Sequence, residues 1–158
     1  MMTAPLDDIK FEKLQYFLKG DMNAVKFCID LIYLSHYWDD IFDGDMERTP
    51  EEANDAFQKA LIDIPENPFY QACFSILQPM IRRTSLLWMD SNTLARGNQN
   101  DKLSAFMIRN DLLNIIHTCI ILVGGVEWAK ERGVEFWRTL GIPMSKFHEF
   151  MMEFEDET

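Results

Sequence analysis

The chain has 158 residues, 47% hydrophobic and 26% charged, which is enough apolar material for one domain with a sizeable core and too much for a disordered chain. Its net charge of −11 and pI near 4.6 exclude a general nucleic-acid binder, which needs a basic face to displace counterions. Cys28, Cys73 and Cys119 fall singly in apolar runs with no CxxC pair, the pattern of reduced core thiols in a cytoplasmic protein.

The first residues show no basic stretch followed by an apolar one, so no signal peptide is expected. Residues 5–19 read as a first helix with Ile9, Phe11, Leu14, Phe17 and Leu18 inward, ended by Gly20. Asp21 then caps a long second helix reaching Asp43. Ala24, Val25, Phe27, Cys28, Ile29, Leu31, Ile32, Leu34, Trp38, Ile41 and Phe42 cover most of its circumference, which predicts an interior helix. Thr49-Pro50-Glu51-Glu52 has the form of a capping box with proline at the first helical position, and that helix should reach residue 61 or 63. Asn67-Pro68 starts the next helix, and Pro79 should kink or break it before a segment over 80–94. Gly97-Asn98-Gln99-Asn100 is a turn, after which Asp101 can cap a helix over 102–123 ended by Gly124-Gly125. Short helical pieces over 126–132 and 134–140 flank Gly133, and a last helix runs from Pro143 to about Phe154, with an acidic tail from about 153 that should fray. No strand periodicity or internal repeat is visible. The expectation is a single all-α domain over 1–158, a helical bundle or orthogonal array of six to eight helices. No run is long and apolar enough to span a bilayer; the stretch from Ile115 to Val123 is the most apolar and contains His117 and Thr118.

Two polar stripes stand out against this apolar background. His36, Asp39, Asp40 and Asp43 stand at i, i+3, i+4 and i+7, on one helix face that continues Val25, Ile29 and Ile32. Carboxylates this close raise one another's pKa, and a divalent cation is the simplest compensation. The alternative is a solvated acidic helix end, closed by Gly44 in the left-handed conformation. In the segment 102–123, Asn110, Asp111, Asn114, His117 and Thr118 share one arc opposite Leu112, Leu113, Ile115, Ile116, Cys119 and Ile120. Solvent faces of helices are usually written in Lys, Glu, Gln and Arg, whereas short Asn, Asp, His and Thr suit a fixed hydrogen-bonding or ligand site. The alternative is an ordinary wet face.

The run His36-Tyr37-Trp38-Asp39-Asp40-Ile41-Phe42-Asp43 resembles the DDxxD motif of class I terpenoid and prenyl-diphosphate synthases. Asn110, Asp111, Asn114 and Thr118 fall at the spacings of that family's second metal motif. Asn114 stands where the family has Ser or Thr, Thr118 stands where it has Glu, and the chain is about half the family's usual length. The resemblance implies that Asp39, Asp40, Asp43, Asn110 and Asn114 hold Mg²⁺ against a substrate diphosphate, with Asp39, Asp40 and Asp43 in the catalytic role. Arg82, Arg83 or Arg109 would then grip phosphate oxygens.

Three functions follow. The first is a Mg²⁺-dependent enzyme acting on a small diphosphate ester. The second is a transition-metal bundle, with Mn²⁺ or Fe²⁺ held by His36, Asp40, Asp43, Asp111, Asn114 and His117. The third is a non-enzymatic acidic interaction or inhibitor protein with a basic protein partner; its support is the charge and the aromatic residues Phe136, Trp137, Phe147, Phe150 and Phe154. None calls for a membrane, and the apolar second helix is compatible with burial in one chain or across a homodimer.

Overall fold

In a computed structural model of the chain, residues 8–44 and 46–154 are described, and their regular structure is entirely helical. Seven helices of nine residues or more carry the fold: α1 (Asp8–Phe17), α2 (Met22–Asp43), α3 (Pro50–Gln58), α6 (Phe74–Leu94), α7 (Gln99–Arg109), α8 (Leu112–Leu140) and α9 (Met144–Glu153). A π-helical turn over Lys59–Asp63 extends α3 into the short α4 (Ile64–Glu66), and α5 (Pro68–Ala72) precedes α6. This is the all-α fold that the apolar periodicity predicts. The expected starts at residues 5–7 and the tail beyond Phe154 lie outside the described residues.

Most caps are where the sequence puts them. The Asp21 carboxylate accepts hydrogen bonds from the Asn23 and Ala24 amides at 3.1 and 3.0 Å, satisfying two of the orphan donors of α2. Gly44, at φ 68°, closes the same helix and donates to the Asp40 carbonyl. Thr49 and Glu52 form the reciprocal capping box. Asn67 caps α5 through Tyr70 and, buried, donates to the Asn23 carbonyl at 2.9 Å.

The breaks differ in four places. Pro79 lies inside α6, and the chain bends six residues earlier, at Cys73. The missing amide of Pro79 strands only the carbonyl of Ser75, on an exposed residue where water can serve it. Asn98 rather than Asp101 caps α7, with Asp101 as its partner three positions on. The single helix expected over 102–123 is two helices, because the chain turns at Asn110 and Asp111. Gly125 does break α8, at φ 83° and ψ 171°, a region open only to glycine; Gly133 does not interrupt the helix that follows.

Two apolar clusters hold these elements. The larger joins α1, α2, α5, α6 and α8 through Leu14, Phe17, Phe27, Leu77, Ile115 and Phe136, among others. Phe17 packs edge-on against Phe136 at 5.6 Å. The smaller joins the end of α6 to α7 and α9 around Ala95, Ala105 and Phe150. The second helix is not interior on all sides. Trp38, Ile41 and Phe42 are each about half exposed, so one side of its last turns faces outward while Asp39 stays buried. Its buried Asp30 is held by Lys26 at 2.5 Å and by Lys59 of the π-turn at 3.4 Å. By length and composition the run Gln99–Leu140 is apolar enough to cross a membrane, which the sequence pattern alone does not predict. The fold bends that run at Asn110–Asp111 and again at Gly125, leaving a straight apolar piece of about 20 Å against a hydrocarbon core of about 30 Å.

Candidate functional site

The three aspartates of the first stripe point three ways. Asp39 is buried and accepts a hydrogen bond from the Trp88 indole at 3.1 Å. Asp40 pairs with Arg48, whose guanidinium also reaches Glu52 at 2.8 Å and lies over the Tyr37 ring at 5.6 Å. Asp43 is exposed on the last turn. Charge compensation for Asp40 therefore comes from a side chain eight residues along the sequence. The backbone amide of Thr49 and the Arg48 guanidinium also hold the Glu52 carboxyl below its ordinary value.

The second stripe straddles the α7–α8 turn. Asp111 is buried and accepts from Arg83 Nη2 at 2.8 and 3.0 Å, from Thr84 Oγ1 at 2.5 Å and from Asn114 Nδ2 at 2.9 Å. Burial pushes this carboxyl up, but the hydrogen bonds from Thr84, Asn114 and Arg83 together outweigh it and hold the group below its ordinary value. Asn110 spends its amide on the Phe106 carbonyl at 2.7 Å, and Thr118 its hydroxyl on the Asn114 carbonyl at 2.8 Å. His117 stacks on Trp137 at 5.7 Å and against Phe136 at 5.4 Å, which makes it part of an aromatic cluster. Arg82 is exposed. Among the described residues, no three His, Cys, Asp or Glu side chains lie close enough to share a metal ion. Asp40 is bound to Arg48 and Asp111 to Arg83.

What the fold does bring together is a cavity. It has a volume of 530 Å³ and lies between α2, α6, the α7–α8 turn and α9, within the range of about 300–1,000 Å³ typical of small-molecule sites. Its walls are mostly apolar: Leu31 and Leu34 from α2, Trp88 from α6, Phe106 from α7 and Leu113 and Ile116 from α8. Three of the residues singled out by sequence, His36, Arg109 and Asn110, line it as well. Trp88 and Thr84, one turn apart on α6, line it too and hold Asp39 and Asp111 respectively. One residue of each polar stripe, His36 and Asn110, therefore lines the chamber, and α6 holds a buried carboxylate of each stripe through Trp88 and Thr84.

Arg109 is the unusual group in this lining. It donates to the Asn92 side-chain oxygen and lies over the Phe150 ring at 5.4 Å. Among the described residues its Nε and Nη1 are buried with no hydrogen-bond acceptor, as are Asn92 Nδ2 and the Nε atoms of Arg48 and Arg132. The other cation in the lining, Lys146, is already paired with Glu149 at 2.8 Å. Sequence reasoning missed Arg48, Trp88 and Asn92. Arg48 was legible, eight residues after Asp40, but the partnerships of Trp88 and Asn92 span 49 and 17 residues and leave no local signal.

The three cysteines are free, with Cys28 and Cys119 fully buried. A hydrogen bond with Cys119, then burial, pushes the Cys28 thiol well up, which leaves it a poor nucleophile.

Comparison with protein-family models, curated proteins and solved structures finds no match to this chain.

Proposed function

We propose that this chain is a small-molecule binding protein that holds a largely apolar ligand in the chamber between its two core clusters. The observation that carries this reading is the 530 Å³ cavity itself, with its aliphatic and aromatic walls. The cavity is partly open, and its apolar lining, which includes the half-exposed Trp38, meets water when empty. An apolar ligand would remove that surface from water. Trp38 and Trp88 line the chamber, so intrinsic fluorescence should report filling. Titration with an alkyl-chain ligand should shift the tryptophan emission saturably. Ser35→Phe, which fills the chamber from α2, should abolish the shift while leaving the helical circular dichroism intact. Equal binding by wild type and Ser35→Phe would overturn the reading.

A second reading keeps the Mg²⁺-dependent diphosphate chemistry, and its support is that His36, Arg109 and Asn110 face the same chamber. It requires Asp40 to exchange Arg48 for a cation. Thermal unfolding with and without millimolar Mg²⁺ tests it, because a ligand of the folded state alone raises stability by RT ln(1 + [L]/Kd). Arg48→Ala should enlarge the Mg²⁺ response by freeing Asp40; no response in either protein would remove this reading.

A further inference from the structure

We infer that the ligand of this chamber is uncharged: a hydrocarbon-chain molecule whose polar group is a hydroxyl or an ester, with no ionic head. The inference rests on the binding function proposed above and adds the chemistry of the occupant. Among the described residues that line the chamber there is no Asp or Glu, so a cationic head meets no carboxylate. The two lining residues with a fixed positive charge are Arg109 and Lys146. Arg109 gives one nitrogen to the Asn92 side chain, and its Nε and Nη1 are buried within the protein rather than exposed to the chamber. Lys146 is paired with Glu149 at 2.8 Å, and an anionic head would have to displace that carboxylate. Neither sign of charge finds a ready partner.

The neutral polar groups of the lining narrow the occupant further. The hydroxyls of Ser35 and Ser85 donate to the Ile32 and Arg82 carbonyls of their own helices, each at 2.8 Å. Thr84 donates to Asp111 at 2.5 Å, and the Asn110 amide nitrogen donates to the Phe106 carbonyl at 2.7 Å. These donors are spent inside the chain. Taking a carboxylate or an ammonium out of water into such a site without a counter-ion costs far more than taking in a hydroxyl. A single hydroxyl or ester oxygen can be served by one neutral side chain, and the lining includes Tyr37 and Thr139.

Titration of the purified protein with 1-decanol, decanoate and decylammonium, matched in chain length, tests this by tryptophan fluorescence and calorimetry. The titrations are run at pH 8, where both ions are charged and which lies above the ordinary imidazole range, so that histidine charge does not enter. Decanol should bind wild type about tenfold or more tighter than either ion, corresponding to about 1.4 kcal/mol, and Ser35→Phe should abolish its binding. Decanoate or decylammonium binding as tightly as decanol, or tighter, would overturn the uncharged occupant and leave the apolar chamber standing. Binding of none of the three would overturn the chamber's function and the inference with it. Decanol binding that persists in a Ser35→Phe protein of unchanged circular dichroism would place the ligand elsewhere and overturn both.

Discussion

Arg83 and Arg109 stand on either side of the same α7–α8 turn and live under opposite conditions. Arg83 is half in water yet grips the buried Asp111 with two nitrogens, and Thr84 and Asn114 complete that carboxylate. Arg109 has two buried nitrogens that no acceptor among the described residues satisfies. The first arrangement is closed: every strong group has a partner, and its effect is to fix the turn at Asn110–Asp111 that splits the long helix. The second is open: among the described residues the Asn92 side-chain oxygen and the Phe150 ring are what meet the guanidinium. A buried polar network that is complete rigidifies a fold, whereas one that is incomplete is expensive unless a ligand completes it.

The largest effect that separates the two is on stability. Asp111→Ala leaves Thr84, Asn114 and the inner nitrogens of Arg83 without their acceptor and should cost about 3 kcal/mol in urea unfolding, at the low end for a broken buried pair because Arg83 can turn to water. Arg109→Met, in ligand-free protein, should be neutral or stabilising by about 1 kcal/mol, since it removes an unsatisfied buried charge and keeps the volume. If Arg109→Met proves as costly as Asp111→Ala, Arg109 belongs to the framework and the contrast collapses.

Acid sharpens the same comparison with a smaller effect. The folded-state carboxyl of Asp111 is held below its ordinary value. Its stabilisation is therefore fully present above the ordinary aspartate range and is lost as pH falls through the lowered folded pKa, at about 1.4 kcal/mol for each unit by which folded and unfolded values differ. Asp111→Asn should flatten that part of the stability–pH curve measured by urea unfolding between neutral pH and the acid limb. A curve of unchanged shape would mean that Asp111 is not among the groups that set acid sensitivity. Arg109 does not titrate in this range, and Arg109→Met should leave the slope as it is.

Local chemistry was legible in the sequence at most helix ends, the Asn98 cap of α7 being the exception. Asp21, Thr49 with Glu52, Asn67 and Gly44 all cap as their patterns predict, because capping bonds span two to four residues. The turn at Asn110 and Asp111 was not legible. Its side chains keep helical spacing with those that follow, and what bends the chain there is the hold of Arg83 and Thr84 on Asp111 from 28 and 27 residues away. The first polar stripe was legible as a feature but not in its direction. Spacing places Asp39, Asp40 and Asp43 on one face, yet Trp88 draws one carboxylate inward, Arg48 takes the second, and the third stays exposed. The chamber had no signature at all. It is the space left where a large cluster and a small one meet, and His36, Arg109 and Asn110, singled out for metal and phosphate chemistry, line it.

The left-handed break at Gly125 also bears on how many chains complete one core. Residues 112–124 and 126–140 are helical on both sides of it. If that single residue relaxed into the helical basin, α8 would become one rod of about 43 Å, longer than a small domain is wide. Its far half would carry Ala129 and Phe136 away from Phe17 and the α1 helix they now pack against. The gap would have the shape of the same segment from another copy, and exchange of an identical element between copies is an inexpensive way for a chain to repair itself. An alanine at this position would strain the bend and favour the rod.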